Sequence, residues 1–153
     1  MLKYCVEKWD KNKELLRSEL ATRTDLNSCD YKTLVELVVD YILNPGEYGY
    51  SDRFDSSKIT VVDDGDYQGC QLFVIPIDTY QPMPNEYIIG FQNYGSCSGC
   101  DTLQSIQNWS GGRLNKEQIN DFMELCKDIV CSFKHPFYSY DEEKWAEVTV
   151  DPN

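Results

Sequence analysis

The chain has 153 residues with 41% hydrophobic side chains, enough for one domain that buries a core without a metal or disulfide to hold it. Its 26 carboxylates against 14 basic side chains give a formal charge of −12, a sign that repels phosphate backbones and anionic membranes and so excludes direct binding to either through a cationic surface. No run approaches about 18 consecutive apolar residues and the first residues lack the basic and apolar regions of a leader, which predicts a cytoplasmic protein whose seven cysteines are reduced thiols.

From Leu2 to Leu20, the apolar positions Leu2, Cys5, Val6, Trp9, Leu16 and Leu20 recur at three- and four-residue steps among Lys and Glu, the pattern of an amphipathic helix. This leading segment is near neutral, so the carboxylate excess falls on the body of the chain. Asp30 can cap a second helix with the stripe Leu34, Val35, Val38, Val39, Tyr41 and Ile42, which Asn44-Pro45-Gly46 stops. Residues 47–57 have no period and read as a loop.

The texture then turns β-branched and aromatic. Ile59 to Val62, Gln71 to Ile75 and Tyr87 to Phe91 have strand length, and Asp63-Asp64-Gly65-Asp66 and Pro82-Met83-Pro84-Asn85 separate them, which predicts an antiparallel meander. Tyr94 to Asp101 leads into a short helix through Leu103 and Ile106 that Gly111-Gly112 is expected to close. Asn115 with Gln118 forms a capping-box pattern ahead of the stripe Ile119, Phe122, Met123, Cys126, Ile129, Val130 and Phe133, ended by His135-Pro136. The tail predicts a helical turn before Trp145 and an edge strand at Val148-Thr149-Val150. Together these elements predict a single acidic α+β domain over residues 1–153, with three to four antiparallel strands and helices from both termini on one face.

The sharpest chemical feature is Cys97-Ser98-Gly99-Cys100, two thiols between a strand and a helix. Exposed amides and the helix dipole are expected to lower the pKa of the first thiol, which suits disulfide exchange. A zinc site needs about four ligands. Cys126 and Cys131 lie about 140° apart around a helix, so the best set is Cys97, Cys100, Cys131 and His135, the last two sharing a face. A cysteine nucleophile would have only His135 as an imidazole base, and no motif of a cysteine hydrolase surrounds either thiol. The structural alternative is that small residues make a tight strand-to-helix turn, Ser or Asp caps it, and the thiols pack inward.

Asp63, Asp64 and Asp66 lack the alternating ligands and distant Glu of a calcium loop and read as a hairpin turn. Gly111-Gly112-Arg113 is neither a dinucleotide fingerprint nor a phosphate loop. With Tyr67, and with Asp141, Glu142 and Glu143 in the tail, the three aspartates can instead present an anionic, tyrosine-bearing surface to a basic partner. No cofactor and no catalytic residue is predicted on this reading.

The strand, Cys97-Ser98-Gly99-Cys100 and following helix resemble the active segment of thioredoxin-like proteins over about a dozen residues, which implies thiol redox chemistry. The chain departs from that family in placing adjacent strands before the motif and Gly111-Gly112 after it. Asp66-Tyr67-Gln68-Gly69, Phe73-Val74-Ile75-Pro76, Asp78-Thr79-Tyr80-Gln81-Pro82 and Tyr94-Gly95-Ser96-Cys97-Ser98-Gly99-Cys100-Asp101-Thr102-Leu103-Gln104 resemble a group of small, uncharacterised phage and prophage proteins, across roughly residues 58–108. That resemblance implies a bacterial host cytosol and no mechanism. The leading expectation is a phage-encoded, non-enzymatic interaction protein that inhibits a host nucleic-acid-handling or defence protein, in the manner of an anti-CRISPR protein or DNA mimic. The alternative is a redox or zinc protein using Cys97 and Cys100.

Overall fold

The computed structural model describes residues 1–46 and 53–135. The acidic tail residues Asp141, Glu142 and Glu143, the strand expected at Val148 to Val150 and the tyrosines at 48, 50, 138 and 140 lie outside the described residues. Helix α1 spans Leu2–Thr22 and buries Cys5, Trp9, Leu16 and Leu20 of the expected stripe, while Leu2 and Val6 of that stripe stay exposed. Asp30 accepts the Thr33 N–H and starts α2, Tyr31–Val38. The turn that follows widens over Val39–Leu43, with the Asn44 N–H reaching back to the Val39 carbonyl at 2.9 Å. The buried Asn12 amide of α1 donates to the Ile42 carbonyl of this wide turn at 2.7 Å, so that a backbone acceptor removed from water keeps a partner.

Strands β1 (Thr60–Asp63), β2 (Gly69–Pro76) and β3 (Tyr87–Tyr94) form an antiparallel sheet in the order β1-β2-β3. Its register pairs Val61 with Phe73, Phe73 with Gly90, and Ile75 with Ile88. Because side chains alternate faces along a strand, Phe73, Ile75 and Ile88 all point toward the helices and are buried. The other face keeps Val62 and Phe91 exposed. Helix α3 spans Thr102–Ile106, and α4 spans Lys116–Cys131 behind the expected capping box of Asn115 and Gln118. Phe122, Met123, Cys126, Ile129 and Val130 of α4 join the residues of α1 and α2 in one core, where each fully buried Leu or Phe stabilises by roughly 1.5–3 kcal/mol. The fold is therefore α+β, with helices on one side of a three-stranded sheet.

Gly111 and Gly112 do not close the short helix. Gln107 is already extended and its N–H caps the Leu103 carbonyl, so α3 ends at Ile106. The two glycines lie further on, at φ of 71° and 79°, and turn the chain toward α4. Tertiary bonds stop the helix early: Gln107 Nε2 donates to the carbonyls of Leu26 and Cys29, and the Asn108 N–H donates to Asn27.

Candidate dithiol site

Strand β3 runs out at Tyr94, and residues 95–100 fold into one tight turn ahead of Asp101, the N-cap of α3. The Cys100 N–H returns to the Cys97 carbonyl at 3.0 Å. A Cβ at Gly95 would lie 2.5 Å from the Cys100 carbonyl oxygen and 2.6 Å from its sulfur, so only glycine lets the chain pass this close. The turn is braced from below. Asp101 is buried, and its carboxylate accepts from the Gly95 N–H (2.9 Å), the Gln104 N–H (3.0 Å) and the Tyr31 hydroxyl (3.1 Å). The same Tyr31 oxygen accepts from the Leu103 N–H, and Gln104 Nε2 donates to the Gly95 carbonyl. A carboxylate taken from water without such partners would be strongly unfavourable, so this network is what allows Asp101 to be inside.

On this brace both thiols face water. Cys97 and Cys100 are exposed and their sulfurs lie 2.9 Å apart. A covalent bridge of about 2.05 Å needs only a small side-chain rotation from there. The Cys97 N–H also points at the Cys100 sulfur, at 3.2 Å, with the Ser96 hydroxyl at 3.9 Å. Hydrogen bonding from the Cys97 thiol, then from its N–H, holds the Cys100 thiol below the ordinary cysteine range. Donors gather around Cys100 within the turn itself, ahead of α3, which starts only at Thr102.

The four-ligand zinc set is not assembled. The bridge between Ile89 and Lys134 holds His135 near the start of β3, and Ile89 is itself roughly 17 Å along the strand from Tyr94. Cys131 ends α4 within electrostatic range of Cys5 on α1. Among the described residues no three His, Cys, Asp or Glu side chains gather into a group that could hold a metal. The geometry also separates His135 from the dithiol as a base for hydrolysis. Cys126 is fully buried and its thiol is pushed up by burial, as expected for a core residue.

The aspartates at the β1–β2 hairpin have local partners. Asp63 accepts from the Tyr94 hydroxyl (2.6 Å), the Gly65 N–H (3.0 Å) and Gln71 Nε2 (3.1 Å), and Asp64 accepts from the Cys70 N–H (2.6 Å). The Tyr94 hydrogen bond holds the Asp63 carboxyl below its usual range and, in turn, pushes the Tyr94 phenol up to about 12. Tyr67 stands 83% exposed in the hairpin. From Ile59 to Gly112 the chain has no Lys, Arg or His, while it carries Asp63, Asp64, Asp66, Asp78, Glu86 and Asp101. A polar cleft of about 240 Å³ beside α3 and α4 is lined by Ser105, Asn108, Asn115 and Gln118 among others. Several of its amides are already occupied, with Gln118 bonded to Asn27 and the Ile106 carbonyl.

Sequence reasoning missed Tyr31 and Gln104 as parts of the site. Asp101 followed three residues later by Gln104 is a capping pattern that could have identified the brace, whereas nothing local ties Tyr31 to it. Comparison with known proteins gives no match to a family, a curated protein or a solved structure.

Proposed function

We propose that the protein carries out reversible thiol–disulfide exchange at Cys97 and Cys100. One observation carries this reading: two exposed sulfurs 2.9 Å apart, with hydrogen-bond donors converging on Cys100. The Cys100 thiolate attacks one sulfur of an organic disulfide. The S–S bond breaks, its electron pair leaves with the displaced thiolate, and that thiolate takes up a proton. Cys97, deprotonated by solvent, then attacks the Cys100 sulfur of the mixed disulfide and releases the second thiolate. Two protein thiols become one cystine while the organic disulfide becomes two thiols, so electrons and protons balance. The brace at Asp101 keeps the pair in register through both steps.

The test is to incubate the reduced protein with 2-hydroxyethyl disulfide, trap free thiols by alkylation and read the peptides by mass. A Cys97–Cys100 bridge that dithiothreitol reverses supports the proposal. Oxidation of Cys131 with Cys97 and Cys100 left reduced overturns it.

A second reading is favoured by the exposed Tyr67 and by the stretch without basic residues. In it the protein is a phage-encoded, non-enzymatic inhibitor whose acidic, tyrosine-bearing surface occupies a basic face of a host nucleic-acid-handling or defence protein. Salt-sensitive recovery of such a protein by a tagged variant carrying Cys97→Ser and Cys100→Ser would favour this reading over exchange chemistry.

A further inference from the structure

The hairpin and the dithiol turn are neighbours. Gly69 pairs with Tyr94 across β2 and β3, placing their Cα atoms about 5 Å apart. Asp64 folds back onto Gly69 so tightly that a Cβ there would lie 2.6 Å from the Asp64 carboxylate oxygen. On the other strand Cys100 folds back just as closely onto Gly95, the residue after Tyr94. The Asp64 carboxylate and the Cys100 thiol therefore both lie at the same end of the sheet. Asp63, Asp64 and Asp66 all act on the Tyr94 phenol, so the three charges converge on this end. No basic side chain from residues 59–112 offsets them. On the helical side, Lys32 adjoins the bracing Tyr31 but is paired with Glu36 at 3.8 Å.

Resting on the exchange reading, we propose that the hairpin carboxylates select the substrate: the dithiol takes disulfides carried on cationic groups, such as a basic polypeptide segment, and discriminates against anionic ones. A disulfide that reaches Cys100 comes to the end of the sheet where Asp63, Asp64 and Asp66 act on the Tyr94 phenol. Three carboxylates within roughly 10 Å of the substituent charge, weakly screened at low salt, change the encounter rate by about tenfold between substituents of opposite sign. Tyr67, exposed on the same hairpin, adds an aromatic face on which a basic side chain can rest.

Three disulfides of different charge test this: doubly cationic cystamine, neutral 2-hydroxyethyl disulfide and doubly anionic glutathione disulfide. The readout is the rate of Cys97–Cys100 bridge formation, by alkylation and peptide mass, at low and at high salt. The expected order is cystamine, then the neutral disulfide, then glutathione disulfide. Cystamine should lead glutathione disulfide by about tenfold at low salt, and the ratio should fall to within about twofold at high salt. The double variant D64N and D66N should lose most of the ratio while still reacting with the neutral disulfide. Bridge formation at equal rates from all three, or fastest from glutathione disulfide, overturns the charge selection and leaves the exchange reading in place. No bridge from any of the three overturns the exchange reading and the inference with it.

Discussion

The cysteines of the helical layer and those of the turn carry the same side chain in opposite surroundings. Cys5 and Cys29 are pushed up to about 12 by burial, and Cys126 is raised by the same cause. Cys100, in water and surrounded by donors, is lowered. Removal from water disfavours a thiolate, while hydrogen bonds from a thiol and an amide favour one, so position in the fold sorts the thiols into inert and reactive sets. The difference teaches that cysteine number says little about which thiols here favour the thiolate. What matters is a six-residue turn and the buried carboxylate beneath it.

The largest test of this contrast is alkylation of the native protein. Cys97 and Cys100 should react with iodoacetamide more than about a thousandfold faster than Cys5 and Cys126, which become available only when the core opens. Peptide mapping after timed quenching measures both sets, and comparable rates would erase the distinction. Next is the brace. Asp101→Ala strands three donors and removes the cap of α3, and should lower stability by about 3 kcal/mol in urea denaturation. Asp101→Asn keeps one acceptor oxygen and should lose less. In the alanine variant the Cys100 alkylation midpoint should also move up toward the ordinary thiol value, because the turn no longer fixes the Cys97 N–H against the sulfur.

Buried thiols also leave a signature in the pH dependence of stability. Their native pKa values lie above the ordinary thiol value of 9.0. Between about pH 9 and pH 12 the unfolded chain has therefore lost protons that the native chain keeps. The unfolded state binds fewer protons, so the stability that these thiols contribute is complete below about pH 9 and is lost as pH rises toward 12. The loss is about 1.4 kcal/mol per pH unit for each such thiol. Urea midpoints measured across this window should fall, and Cys126→Ala should make the fall shallower. An unchanged slope in that variant would mean that Cys126 reaches water before the protein unfolds.

Much of the fold could be read along the chain because its signals are local. Asp30 before the Leu34 to Ile42 stripe and Asn115 with Gln118 before the Phe122 to Val130 stripe each announce a cap and a buried face within a dozen residues. The strands announce themselves by β-branched runs, and the three-strand order follows from turns too short for a crossover. The site was half legible: the two cysteines by spacing, but not the lowered pKa of Cys100. That depends on hydrogen bonds inside the turn and on a brace from Tyr31 to Asp101 that spans 70 residues. Asp63 read as a surface charge because nothing nearby in sequence reveals Tyr94 as its partner, 31 residues away. The zinc set failed for a related reason, since helix periodicity puts Cys131 and His135 on one face without saying where the dithiol turn lies.

The smallest expected effect lies at the joint between the acidic hairpin and the dithiol turn. Tyr94 closes β3 immediately before Gly95, and its phenol is held at about 12 chiefly by the hydrogen bond to Asp63. Asp63→Asn replaces the charged acceptor with a neutral amide, so the phenol should titrate closer to the ordinary 10.0. The ring resonances of Tyr94, followed by NMR as pH rises, measure this directly. Asp63 is exposed and the Tyr94 ring half-buried, but their hydrogen bond lies at the surface where solvent screens it, so unfolding transitions should move little. The informative comparison is with Cys100 in the same variant. Asp101 holds Gly95 from the core side, independently of the hairpin, so the Cys100 alkylation midpoint should stay where it is. Movement of that midpoint together with the Tyr94 titration would mean that the hairpin, and not the buried carboxylate alone, sets the geometry of the two thiols.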